Sequence, residues 1–416
     1  MNESKSKRIR HILFLSMLNV FPALTTDMYL PALPTLGAVF DASLGLVSLT
    51  MVLYLIAYSA SMLIWGPLSD RYGRKPILLT AVTMYVLASV ACSAAISIYQ
   101  LILFRIFQGV GAGAAVAVSM AITKDLFEAK VREKALASIA MIMMIGPIIA
   151  PIIGAWLFTV TSWRGQFVAL TLFGTVALIV VAFMRETNTI RTSSGIAGTL
   201  GRLVEVMKIR SFAYGVLLFA FIGSPLWIFI GLSSEIFVNG FGLTEQEYSF
   251  YFAANGVLSI LSIGLYLILS KYISRFKIIT SGFIAVAVSG LLTIAVGNLS
   301  PLVFLLTVVV STVAGAQLRT PSMNLLLEQI ERDSGSASSL ISSTFTIIGS
   351  ILLAIASMGW GNIIVVFGSV NLAVGIACSI FWRILVRRNI LTDSLADKSN
   401  SQIQMKELSS VKTGGD

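Results

Sequence analysis

Two ionisable residues stand inside long apolar runs, and they are where the sequence could do chemistry. Asp27 lies in "NVFPALTTDMYLPALPTL" (19–36), with no basic residue nearer than Arg10. Arg105 lies in "LILFRIFQGVGAGAA" (101–115). A charged side chain at the bilayer centre costs ~2.5–3.5 kcal/mol even on a lenient insertion scale, so each must face a cavity or a partner. Counting helical rise puts Asp27 about 10 Å and Arg105 about 9 Å from the outer surface, so the two lie at a shared depth in the outer half. Burial and a nearby guanidinium act in opposite senses on a carboxylate's proton affinity, so a small movement of one helix can switch its protonation. The competing reading is structural: Asp27 caps a kink near Pro31 with the help of Thr25 and Thr26, and Arg105 locks backbone carbonyls.

The elements that must position these charges are membrane spans. Of 416 residues, 56% are hydrophobic and 12% charged, against about 25% charged in soluble domains. The apolar residues fall in twelve blocks, at 12–34, 46–68, 76–97, 99–123, 135–159, 165–184, 211–234, 247–270, 277–297, 301–327, 336–358 and 362–386. Each is about 20 residues long, enough to cross ~30 Å of hydrocarbon as a helix. The expected fold is therefore an all-α membrane protein. All but three of the 29 Lys and Arg residues (Arg105, Arg164 and Arg319) fall at one side of the predicted membrane, which places both termini in the cytoplasm. The basic start "KSKRIRHILFLSMLNV" runs into apolar sequence without a convincing cleavage site and reads as an uncleaved first span.

Several function classes drop out. The net charge of +10 follows the membrane topology, not a nucleic-acid surface. Cys92 and Cys378 fall inside spans and read as apolar fillers, and one histidine, His11, cannot build a metal cluster. No G-x-x-x-x-G-K-[ST] appears, so ATP is not the expected driver. No catalytic residue, metal or cofactor is expected, and the chain is not read as an enzyme.

The longest loop, 185–210, divides the spans six and six and is rich in Ser, Thr and Gly, as a solvated linker would be. "SDRYGRKPILLT" after span 2 is echoed by "SKYISRFKIIT" after span 8, with Ser69 and Arg74 matching Ser270 and Arg275. The organisation expected is a six-helix bundle over 1–184, a cytoplasmic linker, a second bundle over 211–388 and a disordered cytoplasmic tail over 389–416. Two such halves with a site between them are a common transporter plan.

Four stretches carry a family resemblance. "GPLSDRYGRKPILL" (66–79) resembles the signature loop of the major facilitator superfamily, G-x-L-a-D-R-x-G-R-[RK]. "LILFRIFQGVGAGAA" resembles its span-4 motif R-x-x-q-G, and "MIMMIGPIIAPIIGAWL" (141–157) its span-5 antiporter motif. "TTDMYLPALP" (25–34) resembles the span-1 motif D-x-x-x-P of drug:proton antiporters, especially the Bcr/CflA-type multidrug exporters. The resemblance implies two pseudo-symmetric six-helix bundles, with spans 1 and 4 along a central cavity. It implies a conformational latch at Gly66, Asp70, Arg71, Gly73 and Arg74, linking the loop to neighbouring helix ends. From the residues alone, Gly66 permits close helix approach and Gly73 makes a tight turn. Gly146, Pro147, Pro151 and Gly154 would make span 5 a pliable helix that, in relatives, closes the cytoplasmic side. Departures occur: Ala150 and Ala155 replace motif glycines, Asn19 stands where some relatives carry a second acid, and Lys271 stands where the first half has Asp70.

Met51, Tyr54 and Tyr58 share one face of span 2 and offer adaptable and stacking surfaces to a lipophilic substrate. With Asn19, Ala23, Ala112 and Trp227, the last just after Pro225, they form the expected substrate cavity. Arg319 is expected to snorkel to the inner interface, and Glu235 to be an interfacial acid. The resemblance therefore implies a monomeric, proton-driven exporter of small lipophilic or amphipathic drugs in the cytoplasmic membrane, with Asp27 and Arg105 as its coupling pair. The alternatives are a proton-coupled exporter of a metabolite or sugar, and a membrane sensor that has lost transport.

Overall fold

Proline decides where apolar blocks bend and glycine decides how closely they pack. In the computed structural model, which describes residues 5–188, 196–330 and 334–391, every regular element is helical. The first span is α1 (Lys5–Asp27), a 3₁₀ turn (Leu30–Ala32) and α2 (Leu33–Phe40). It breaks because Pro31 and Pro34 have no N–H to give to the carbonyls four residues earlier. Then come α3 (Leu44–Tyr72), α4 (Arg74–Ser93), α5 (Ile98–Leu126), α6 (Ala129–Val160) and α7 (Trp163–Phe183). The second half holds α9 (Arg210–Ala220), α10 (Ser224–Ser234), α11 (Glu245–Leu269), α12 (Arg275–Val296), α13 (Pro301–Leu327), α14 (Ser334–Ala356) and α15 (Ile363–Arg387). Twelve spans are long and apolar enough to cross a membrane, as expected.

Spans 1 and 7 are longer than the sequence suggested, at Arg8–Phe40 and Arg210–Gly240, because each chain resumes a helical path after its break. Asp27 thus lies near the middle of its span instead of near the outer end. Span 7 breaks between α9 and α10, where Pro225 removes the donor for the Phe221 carbonyl. The Ser224 hydroxyl takes its place at 2.7 Å.

The linker is not irregular throughout. Ile196–Lys208 forms an amphipathic helix, α8, and its Leu203 and Val206 are buried. Residues 189–195 of the linker, and the part of the expected tail over 392–416, lie outside the described residues.

The halves meet where α3 faces α14 and α6 faces α11. At the end away from the linker this interface is closed: Gln246 reaches Thr159 at 3.4 Å, and Gly45 lies against the Ser357 carbonyl. One apolar core runs from the first half into the α10–α11 and α13–α15 ends there. The linker-side core of the second half, around Phe212, Phe219, Phe283 and Trp382, is a separate cluster. From Ile263 to its end, α11 has no buried residue. The bundle is sealed at one end and parted at the linker end.

Small residues on α5 let three helices converge. A Cβ on Gly109 or Gly113 would strike the backbone of Tyr54 or Tyr58 on α3. Gly66 is different: no atom lies within 4 Å of where its Cβ would be, so it makes no close helix approach. The expected contrast is that Gly113→Leu abolishes the monodisperse peak in size-exclusion chromatography, whereas Gly66→Ala leaves it unchanged.

Candidate functional site

The two intramembrane charges of the first half do not pair. Arg105 is fully buried and is engaged by backbone and amide oxygens. Its Nε donates to the Thr50 carbonyl (3.3 Å), and its Nη1 donates to the Thr25 carbonyl (3.2 Å) and to Gln108 Oε1 (2.7 Å). The guanidinium lies over the rings of Tyr54 at 4.2 Å and Tyr29 at 4.8 Å, whose faces carry the negative side of the ring quadrupole. Gln108 passes the connection on to Ser89 of α4 at 2.8 Å. Thr25 meets the Tyr85 hydroxyl (2.7 Å), and Tyr29 meets Thr50 (3.0 Å). Four helices, α1, α3, α4 and α5, converge on this one cation. Gln108 was visible at i+3 within the span-4 motif; Thr25, Thr50 and Ser89 carried no signal of their own.

Asp27 ends α1 and is buried, accepting a hydrogen bond from Thr26 Oγ1 at 2.8 Å. It has no ion pair. The reason is geometric: Arg105 reaches the Thr25 carbonyl, and the break after Asp27 turns the chain there. On the neighbouring α6, a Cβ at Gly154 would strike the Met28 carbonyl, and one at Gly146 would touch Ala23 at 3.1 Å. Pro147 and Pro151 both lie inside this continuous helix. Ile148 of α6 lies 3.6 Å from where a Cβ on Gly256 of α11 would be. With the Thr159–Gln246 contact, this places the residue-level meetings of α6 and α11 at mid-span and at the end away from the linker.

The loop motif is assembled around Arg74. Its Nη1 donates to Ser69 Oγ (2.6 Å) and Asp70 Oδ1 (2.5 Å), and its Nε to Asp125 Oδ2 (2.9 Å) at the end of α5. Glu186, just past α7, accepts the backbone N–H groups of Arg74 (2.9 Å) and Lys75 (3.1 Å). These are the free donors of a helix N-terminus, which favours an anion. Gly73 adopts φ +105, and a Cβ there would strike Glu186. Arg71 stays outside the network, over the Tyr72 ring at 5.2 Å. The second half repeats the plan despite Lys271: Arg275, first residue of α12, holds Glu328 at the end of α13 by two bonds of 2.8 and 3.0 Å. Asp125, Glu186 and Glu328 are functional candidates that motif reading did not reach, because each belongs to a different helix end.

A cavity of about 270 Å³ opens between α9, α13 and α14, lined by Phe219, Ile222, Arg319, Asn324 and Phe345 among others. None of the seven residues expected to form the substrate cavity lines it. Asn19 is buried and donates to Ser119 of α5 (2.6 Å) and to the Leu15 carbonyl (2.7 Å). Met51, Tyr54 and Ala112 are buried, and Tyr58 is half-buried and stacked on Tyr54 at 6.3 Å. Ala23 faces α6. Trp227 packs over Gly349, with its indole Nε1 buried and without an acceptor. The close approach of α3 and α5 closes the first-half face. Arg319, expected to snorkel to the inner interface, lines the cavity. Glu235 is half-buried and accepts from Asn239 at 3.0 Å, at the start of a π-helical turn (Glu235–Gly240).

Comparison with known proteins follows this geometry. Residues 15–354 match the Major Facilitator Superfamily. An MFS-type transporter of Bacillus subtilis is 29% identical over 363 residues, covering 84% of this chain and 89% of its own. A bicyclomycin resistance protein homolog of Haemophilus influenzae is 28% identical over 369 residues, covering 85% and 89%. The multidrug transporter MdfA of Yersinia pestis is 31% identical over 227 residues, covering 54% and 56%. Among solved structures, a D-xylose-proton symporter superposes with a TM-score of 0.70 at 16% identity, covering 90% of this chain and 97% of its own.

Two measurements test the polar networks. Arg105→Lys removes donors that a single ammonium cannot replace. It should cost about 2 kcal/mol or more and lower the thermal midpoint of the purified protein. Glu186 is partly desolvated, which pushes its carboxyl up, but hydrogen bonds from the backbone of Asn188, Arg74, Lys75 and Thr187 outweigh this and hold it below the ordinary glutamate value. A depressed carboxyl contributes stability that is full above the ordinary range and is lost as pH falls through its folded value. Wild type and Glu186→Gln should therefore differ in thermal midpoint at neutral pH, and the difference should shrink as pH falls below the ordinary glutamate range and vanish below the depressed folded value.

Proposed function

The chain belongs to the Major Facilitator Superfamily, and from that premise we propose that it is a proton-coupled exporter of small lipophilic or amphipathic drugs. The observation that carries this reading is Asp27: a buried carboxylate without a cation, at the break of span 1 and beside the Pro147/Pro151 helix. The relatives named for bicyclomycin resistance and multidrug transport support the substrate class. The protein works as a monomer in the cytoplasmic membrane, with both termini and the linker inside, so the parted end faces the cytoplasm.

In this reading Asp27 takes a proton while the bundle is open to the outside. The first span then carries a neutral group through the closed state. Opening at the linker end exposes the site to cytoplasmic water, the proton leaves, and drug binds. Return of the loaded, ionised form completes the exchange of one solute for a proton. A membrane potential adds about 2.3 kcal/mol per charge per 100 mV to the proton's inward movement. Arg105 acts by position: it fixes the Thr25 carbonyl, two residues before the carboxylate, to α3 and α5. The Arg74 and Arg275 networks hold helix ends together within each half, so the halves rock as units.

Asp27→Asn is the direct test. In proteoliposomes with an imposed pH gradient, wild type should release lumenal protons on drug addition, and the variant should lose at least 90% of that signal (roughly a tenfold fall) while keeping its thermal midpoint. Undiminished proton movement in the variant removes Asp27 from the coupling step.

A further inference from the structure

The two intramembrane arginines that survive inspection of the structure are in opposite states. Arg105 is fully buried, and oxygens of Thr25, Thr50 and Gln108 hold its guanidinium. Arg319, on α13, is exposed in the cavity between α9, α13 and α14. Among the described residues its side chain has no ion pair and no hydrogen bond. It lies over the ring of Phe345, 5.6 Å from the guanidinium carbon, and within electrostatic reach of the Tyr58 side chain of α3.

A guanidinium inside a span is expensive unless it faces a cavity or meets a counter-charge. Here the cavity meets the first condition and leaves the second open. The fork of donors matches a carboxylate bidentately, and no carboxylate among the described residues takes it. Thr320 and Asn324 also line the cavity without a side-chain hydrogen-bond partner, and can complete the coordination of an anion. Around them Phe219, Ile222 and Phe345 supply apolar and aromatic walls. One charged head among a few polar groups, with an apolar body beside it, is the plan of a small-molecule pocket.

The wall also connects this site to the moving part. The Phe345 ring lies where a Cβ on Gly223 would be, at the break of span 7. A ligand that seats on Arg319 and Phe345 therefore bears on the second half's proline break, as Asp27 sits at the break of the first.

We infer that Arg319 is the anion-recognition residue of the substrate site, and that the preferred solutes are amphipathic anions, an aromatic or aliphatic body carrying a carboxylate. This rests on the export reading above and narrows its substrate class. It also gives the two halves different tasks: the first carries the proton site, the second the solute's charge.

Equilibrium binding of radiolabelled 2-naphthylacetate and of its methyl ester to the purified full-length protein tests this directly. Wild type should bind the acid at least about tenfold more tightly than the ester, the effect of one charge-assisted pair. Arg319→Gln should bring the acid down to the ester's affinity while leaving ester binding and the size-exclusion profile unchanged. Arg319→Lys should keep part of the preference. Equal affinities in wild type, no binding of either compound, or a preference that survives Arg319→Gln each overturns the assignment. Proton movement in proteoliposomes separates this from the export reading. Coupled movement of the ester without any acid preference leaves export standing and removes the anion site. Arg319-dependent acid binding with no proton movement by either compound does the reverse.

Discussion

The first half is organised by one cation. Burying a guanidinium in a span is tolerable only when its donors find oxygens and its faces find rings. Arg105 recruits both from four helices at once. The backbone must come close for this to work, and the glycines at 109 and 113 allow it by bringing α3 against α5. Side-chain polar groups that would each be costly alone (Thr25, Thr50, Gln108, Ser89) become mutual partners. The result is a rigid layer across mid-membrane, and the break of span 1 begins within it. Asp27 inherits its position from that layer without contributing to it.

At the membrane rim the same chemistry recurs in cheaper surroundings. Arg74 and Arg275 each open a helix and each bind an acid at the end of the helix that follows, Asp125 or Glu328. The first half adds Asp70 and the N-terminal anion Glu186; the second has the bidentate pair. The bonds from Arg74 to Asp125 and from Arg275 to Glu328 each join helices within one half. That leaves relative movement of the halves to the α3/α14 and α6/α11 surfaces, which are closed away from the linker and parted beside it. Rocking about such surfaces needs helices that are stiff inside each half, and the rim networks provide that.

Much of this was legible because bilayers impose simple rules. Twelve apolar blocks, the basic side and the duplication of Ser69/Arg74 in Ser270/Arg275 all follow from span length, charge bias and gene-scale repetition, and all are read one residue at a time. The site was less legible because it depends on which faces meet. A depth count placed Asp27 and Arg105 side by side, but depth is one coordinate. The rotation of each helix, and the extension of span 1 to Phe40, decided that Arg105 takes carbonyls instead. Met51 and Tyr54 share a face as the spacing required, yet that face packs on α5. Lys271 hid the second-half rim pair because the motif was compared at the wrong residue: the acid that matters, Glu328, lies on another helix. No local pattern distinguishes an arginine held by carbonyl and amide oxygens, as Arg105 is through Nε and Nη1, from one that lines a cavity.

The two proline breaks tie these observations together. Pro31 and Pro225 interrupt the first span of each half; at the first break the Thr26 hydroxyl bonds the Asp27 carboxylate, and at the second the Ser224 hydroxyl bonds the Phe221 carbonyl. A helix interrupted in this way holds side chains at mid-membrane without being locked in register above and below the break. In the first half the break presents a carboxylate; in the second, through Gly223 and Phe345, it borders a free guanidinium. An acid and a base placed at equivalent hinges, and not in contact, can respond to different ligands. Had Asp27 and Arg319 paired across the interface, each would have neutralised the other, and neither charge would have been available to a proton or a solute. Separation of the charges is what leaves both hinges responsive.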